Sequence, residues 1–273
     1  MPELPEVEIV CRGLNQLLGD KSVIERVEVR TPKLRKVIPR VALEALQGER
    51  LCSVERRAKY LLFRTARFVL LNHLGMTGTW RLRGSDENGR THDHLYLHLR
   101  DGRTLAFHDP RRFGLVDVLK KGEEFRSAYL ADLGPEPLTR DFIGFDFSTI
   151  AKGRKCSIKA LLMDQRVVVG IGNIYAAESL FLAGIDPRRP AGKISPARYE
   201  LLKKSIVQVL RAAIAAGGST LQDFRQTGGG IGKFQKQFSV YARAQQPCLK
   251  CGSLIRSAVL AGRSSFWCGK CQR

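Results

Sequence analysis

The chain has 273 residues, 46 Lys plus Arg against 26 Asp plus Glu, and a formal charge of +20 with a pI near 10.1. At 44% apolar it can bury a core, which excludes a disordered basic tail, and its length sets a prior of one to two domains. So positive a compact chain repels itself, so the expected partner is a polyanion, either nucleic acid or an anionic membrane surface.

The opening MPELPEVEIV carries three acids and no base, the reverse of a secretion signal. No apolar run approaches the roughly 18 residues of a membrane span, so a soluble cytoplasmic protein without membrane contact is expected. Leu4, Val7, Val10, Leu14 and Leu17 recur at helical spacing, and residues 23–30 then read as a strand. Residues 60–74 read as a hairpin, and LYLHLRDGRTLAFHD alternates around an Asp101-Gly102 turn. His92, His94 and His98 share one parity there, and a solvated polar face is expected rather than a ligand set. Gly134 to Pro137 reads as a linker, after which helices are predicted near 158–165, 173–183 and 196–216, the last stopped by Gly217 and Gly218. The glycines between Thr227 and Gly232 do not make a nucleotide loop, because Gly232-Lys233 is followed by Phe234 and not by Ser or Thr. A mobile loop is the expectation.

Charge is uneven along the chain. Residues 30–67 hold eleven bases against three acids, and residues 224–273 hold nine bases and no acid, so the anion is expected to touch both ends. Cys248-x2-Cys251-x16-Cys268-x2-Cys271 has the spacing of two CxxC hooks around one tetrahedral Zn2+, a closed and therefore structural site. Cys11, Cys52 and Cys156 stand alone, and seven cysteines with two such pairs favour metal over disulfides. Arg256 and Arg263 in the insert predict a basic tip that meets phosphate.

Two motifs have both a structural and a chemical reading. Gly170-Ile-Gly172-Asn173 precedes a helical pattern, so it is either a plain interhelical turn or a helix N-terminus offering donors to phosphate. At the start, Pro2 and Pro5 with Glu3 and Glu6 suit the first turn of a helix, which is the reading residues alone favour. The other reading is chemical: Pro2 is small enough for Met1 to be removed, leaving a secondary amine that titrates near 8 beside a carboxylate. Attack on a sugar C1′ by that amine gives an iminium, an electron sink for eliminating phosphate, with Glu3 moving protons. With Met1 in place the Pro2 nitrogen is an amide and cannot attack.

PELPEVE, RRAKYLL (56–62), NHLGMTG (72–78), HDPRRFG (108–114), GIGNIYAAE (170–178) and GRSSFWCGKCQ together closely resemble the bacterial formamidopyrimidine-DNA glycosylases, across essentially the whole chain. The resemblance implies a bifunctional glycosylase and AP lyase of base-excision repair, which removes 8-oxoguanine and formamidopyrimidines from duplex DNA through a Pro2 Schiff base and cuts by β,δ-elimination. It implies Pro2 as nucleophile, Glu3 as general acid/base and Glu6 as supporting carboxylate. Lys59 on the RRAKYLL strand and Arg263 join the catalytic set, and with His73 and Asn173 they grip flanking phosphates, with Lys155 a further DNA contact. Met76, Arg111 and Phe113 would fill the hole left by the extruded nucleotide.

The implied fold is α+β and multidomain. A catalytic helix and antiparallel β-sandwich (1–133) are followed by a linker (134–141), a helix-two-turns-helix domain with a lesion-capping loop at 217–238 (142–238), and a four-cysteine zinc-finger hairpin (239–273). DNA would lie in the cleft between halves, bound by a monomer at the bacterial nucleoid. Departures are Lys36 where an aromatic is frequent, Cys156 at a small or hydroxyl position and Ser265 in place of Thr; none touches the nucleophile. Two rivals remain: an endonuclease VIII-type enzyme for oxidised pyrimidines, and a non-catalytic zinc protein that binds damaged DNA.

Overall fold

A computed structural model describes residues 1–18, 22–84, 89–219, 230 and 232–273. The chain forms two compact units, Met1–Ala131 with Gly217–Gly232, and Asp132–Ala216 with Lys233–Arg273. The architecture is α+β, and no described helix is long and apolar enough to cross a membrane.

In the first unit α1 (Leu4–Leu17) is followed by β1 (Ile24–Val29) and the short α2 (Arg40–Glu44). Then come β2 (Ser53–Arg57), β3 (Tyr60–Arg64), β4 (Phe68–His73), β5 (Thr79–Arg83), β6 (Asp93–Leu99), β7 (Thr104–His108) and β8 (Leu115–Lys120). The strands form two antiparallel sheets, ordered β1-β6-β7-β5 and β2-β3-β4-β8. Their inward side chains make one core, in which Trp80 sits 4.9 Å from Phe63 of one sheet and 5.2 Å from Phe107 of the other, ring centre to ring centre. Each such ring is worth about 1.5–3 kcal/mol through burial, and the one polar atom of Trp80, Nε1, donates to Asn72 Oδ1 at 2.9 Å.

The predicted α1 has its apolar positions Val7, Val10 and Leu14 fully buried. It lies on β2, an edge strand whose outer backbone groups need partners. Asn15 supplies them: its Nδ2 donates to the Val54 carbonyl at 2.7 Å and its Oδ1 accepts from Val54 N at 2.9 Å. Cys11 Sγ adds a bond to the same carbonyl, and Glu8 pairs with Arg56 at 2.9 Å. The helix start is thereby fixed relative to the end of β2.

Two sequence expectations need correction here. His92, His94 and His98 do not form a solvated face. The register of β6 shifts between Asp93 and Leu95, which turns His94 inward to 2% exposure, with Nε2 2.9 Å from the Asp109 carbonyl; His92 and His98 are half-buried. Lys59 is not on a strand. It occupies the two-residue turn between β2 and β3, where Ala58 takes a φ of 55°.

The second unit holds α3 (Phe147–Ala151), α4 (Ile158–Met163), α5 (Asn173–Leu182), α6 (Pro196–Ala215), β9 (Ile255–Leu260) and β10 (Arg263–Cys268). Helix α5 is buried nearly all round, as befits a central helix. The connection from α4 to α5 folds on Gln165, whose Nε2 donates to Ile171 O at 3.0 Å and whose Oε1 accepts from Gly170 N at 2.8 Å. Gly217 and Gly218 end α6 with φ of 77° and 80°, as their sequence position predicts.

Candidate active site

At the chain start, Pro2 is buried, Glu3 caps α1 and Glu6 stands three residues on, the spacing of a capping box. Glu6 is 2% exposed and both its oxygens are used. Oε2 accepts from Glu3 N at 2.9 Å, while Oε1 accepts from Ser219 N at 2.8 Å and Ser219 Oγ at 2.9 Å. The structural reading of PELPEVE as a helix start is therefore correct, but it leaves Glu3 at 3% exposure next to the terminal amine. That amine, on Met1, is held below its ordinary value: burial lowers it most, Glu3 and Glu6 oppose, and Lys59 and Arg111 lower it further. A nitrogen, two carboxylates, a lysine and an arginine thus share one electrostatic neighbourhood.

His73, at the end of β4, has its pKa pushed down to about 4 by burial and then by Lys59 and Arg35. Its Nδ1 accepts a hydrogen bond from Gly75 N at 2.9 Å, so the neutral ring carries its proton on Nε2. Met76, Arg111 and Phe113 are brought together by two loops in backbone contact. Gly75 has a φ of 67°, and a Cβ there would lie 2.4 Å from the Phe113 carbonyl carbon, so only glycine permits the approach. Met76 is 36% and Phe113 46% exposed, and the Arg111 guanidinium lies 5.1 Å from the Phe113 ring centre, so three side chains from the two loops face outward together.

Buried Asp109 shapes the second loop. Its Oδ1 accepts from Thr77 Oγ1 at 2.5 Å and its Oδ2 from Gly114 N at 2.7 Å, while Thr77 Oγ1 accepts from Arg111 N at 3.2 Å. The carboxylate turns inward so that Arg111 to Phe113 turn outward. Sequence reading did not assign Asp109 or Thr77, although both lie inside quoted motifs; a buried acid within a Pro-Arg-Arg turn was the available signal.

In the second unit Asn173 is the first residue of α5, and its Nδ2 donates to Ser264 O at 2.9 Å. Arg263 follows a two-residue turn, Ala261 and Gly262, both at positive φ (47° and 71°), and its side chain is exposed. Arg256 pairs with Trp267 near the cysteines, so the hairpin tip carries Arg263 alone and not the two arginines expected. Lys155 is exposed ahead of α4. Buried Glu178 of α5, also unassigned from sequence, accepts from Ser239 N, Val240 N and Tyr241 N at 2.8–3.0 Å and ties the zinc module's approach to the helix.

The four thiols of Cys248, Cys251, Cys268 and Cys271 all lie within 4.8 Å of one another, with Sγ separations of 3.4 Å for Cys251–Cys268 and 3.9 Å for Cys248–Cys271. Tetrahedral zinc with bonds of about 2.3 Å needs sulfurs about 3.8 Å apart, so the donor set fits one structural Zn2+. The N–H groups of Lys250 and Cys271 point at Cys248 and Cys268 Sγ, each at 3.4 Å, which stabilises thiolate. In the 217–238 loop, residues 220–229 and 231 lie outside the described residues.

Family models match residues 1–116 (formamidopyrimidine-DNA glycosylase N-terminal domain), 133–225 (its H2TH domain) and 245–273 (a zinc finger found in FPG and IleRS). The chain is 48% identical to the formamidopyrimidine-DNA glycosylase of Bdellovibrio bacteriovorus and 47% to that of Syntrophotalea carbinolica, covering 100% of both chains each time. Among solved structures, a Lactococcus lactis Fpg variant in complex with Fapy-dG-containing DNA superposes with a TM-score of 0.91 at 32% identity over 100% of each chain. The Fpg of Thermus thermophilus does so with 0.88 at 40% identity, over 99% of this chain and 98% of that one.

Proposed function

Because the chain belongs to the formamidopyrimidine-DNA glycosylase family, we propose that it removes oxidised purines, 8-oxoguanine and formamidopyrimidines, from duplex DNA in the bacterial cytoplasm through a Schiff base on Pro2, then cuts the strand. The carrying observation is the set of charges around the chain-start amine, Glu3, Glu6, Lys59 and Arg111. Removal of Met1 moves the chain-start amine to Pro2, which is buried and adjoins Glu3, and makes it a secondary amine able to act as nucleophile.

The Pro2 nitrogen attacks C1′ as the C1′–base bond breaks, giving up its N–H proton, so that one proton leaves with the base and the nitrogen recovers a lone pair. Glu3 protonates O4′, the sugar ring opens, and the nitrogen lone pair forms the C1′ iminium. Loss of a C2′ proton expels the 3′ phosphate, a second elimination expels the 5′ phosphate, and water releases the sugar remnant from Pro2. Met76, Arg111 and Phe113 occupy the space of the extruded nucleotide, the guanidinium hydrogen-bonding the orphaned cytosine. Lys59 and His73 in the first unit, and Lys155, Asn173 and Arg263 in the second, hold phosphates. The domain limits proposed are 1–133, 142–238 and 239–273, joined by 134–141.

Borohydride trapping on 8-oxoguanine duplex tests this, with the N-terminus verified by mass. Protein beginning at Pro2 becomes covalently linked to DNA, whereas protein retaining Met1 does not. Equal trapping by Pro2→Gly overturns the nucleophile. Lactococcus lactis Fpg has also been solved with oxidised-pyrimidine DNA, at a TM-score of 0.89 and 32% identity. That supports a second reading in which such lesions are also accepted, and side-by-side excision rates on the two lesion classes decide between preference and exclusion.

A further inference from the structure

We propose that Lys159 is a positioning residue of the phosphate grip, setting Arg263 and Asn173 as one unit from a buried site that never meets DNA. The inference rests on reading those two side chains as phosphate donors. Lys159 lies in α4 at 2% exposure, and its Nζ donates to Ser264 O at 2.9 Å and Ser265 Oγ at 2.5 Å. Ser265 is itself fully buried and passes the bond on, its hydroxyl donating to Arg263 O at 3.2 Å. The Ser264 carbonyl takes Asn173 Nδ2 on its remaining lone pair, while Asn173 Oδ1 meets no donor among the described residues. The orientation of Asn173 therefore hangs on a carbonyl that Lys159 fixes.

Burying an ammonium costs more than docking a hairpin through apolar contact. What the charge adds is direction, because a cationic donor holds two acceptors on successive residues at short range. A cleft of about 200 Å3 lies beside this node, lined by Lys159, Met163, Leu260 and Arg263 among others, so the tip is not closely packed on that side. The polar chain from Lys159 through Ser265 to the Arg263 backbone sets the tip.

The test is a binding cycle on zinc-loaded, full-length protein with duplex carrying a tetrahydrofuran abasic analogue. Arg263→Ala weakens binding about tenfold and lowers the slope of log K against log salt by about 1. Lys159→Met, at parent zinc content, weakens binding at least as much with the same slope change although the lysine is buried, because Asn173 is released too, and adding Arg263→Ala to it changes neither binding nor slope further. Parent-like binding by Lys159→Met, or effects that multiply in the double variant, overturns the positioning role alone. Parent-like binding by Arg263→Ala overturns the phosphate reading and this inference with it. If Lys159→Met loses zinc or fold, Ser265→Ala decides: it reproduces part of the slope change while Ser265→Thr restores the parent, and a parent-like Ser265→Ala overturns the inference.

Discussion

A histidine proposed to hold a phosphate would be expected to carry a positive charge, and His73 is built to refuse one. Burial first, then Lys59 and Arg35, hold its pKa at about 4, and Gly75 N–H occupies Nδ1, so Nε2 is a neutral donor across the working pH range. The folded pKa lies below the unfolded value near 6.5, so between the two the unfolded chain binds the extra proton. The ring's contribution to stability is complete above pH 6.5 and is lost as pH falls toward 4. Urea midpoints at pH 7.5 and pH 5 read this directly: the parent loses more stability between them than His73→Gln does, and equal losses would place the titration elsewhere. NMR of the ring should show no protonation above about pH 5. Nothing local in NHLGMTG announces this state, because it depends first on burial in the fold and then on Lys59, fourteen residues away in a turn that the sequence presents as strand.

Elements were legible wherever periodicity was strong. Helix α1, the 60–73 and 93–108 hairpins and helices α4 to α6 stand where the apolar spacing places them, within a few residues. Features that depend on a partner strand were not: the shift in β6 that buries His94, the turn that holds Lys59, and the Asn15 clasp that pins α1 to β2. The loop carrying Arg111 and Phe113 belongs with these, since its shape comes from a carboxylate facing inward. Asp109→Asn keeps the size but replaces one acceptor by a donor facing either the Thr77 hydroxyl or Gly114 N–H. Loss of a charged hydrogen bond costs about 1.5–3 kcal/mol, spent on the loop and not on the core. Expected is a single-turnover excision rate about ten- to a hundredfold lower with nearly unchanged Kd for abasic DNA. A parent-like rate would show that the loop holds its shape without the carboxylate.

On the scale of the molecule, a surplus of twenty charges overstates what reaches a ligand. Within the 30–67 block, Arg56 is paired with Glu8, Arg67 with Glu49, and Arg64 with Glu55 and Glu124. The set proposed to grip phosphate is itself mixed: Lys59, Lys155 and Arg263 are cationic side chains, whereas Asn173 never carries charge and His73 does not at neutral pH. Only cations release counterions when they meet phosphate, so affinity and salt dependence should separate. For the three cations of that set the log–log slope is roughly −3, and a slope near zero would refute the grip altogether. Against that baseline, His73→Ala weakens binding but leaves the slope where it was, while Lys59→Ala weakens binding and reduces the slope by about 1. A slope change in His73→Ala equal to that of Lys59→Ala would mean that the ring takes up a proton in the complex, the phosphate anion raising the pKa that burial lowers in the free protein.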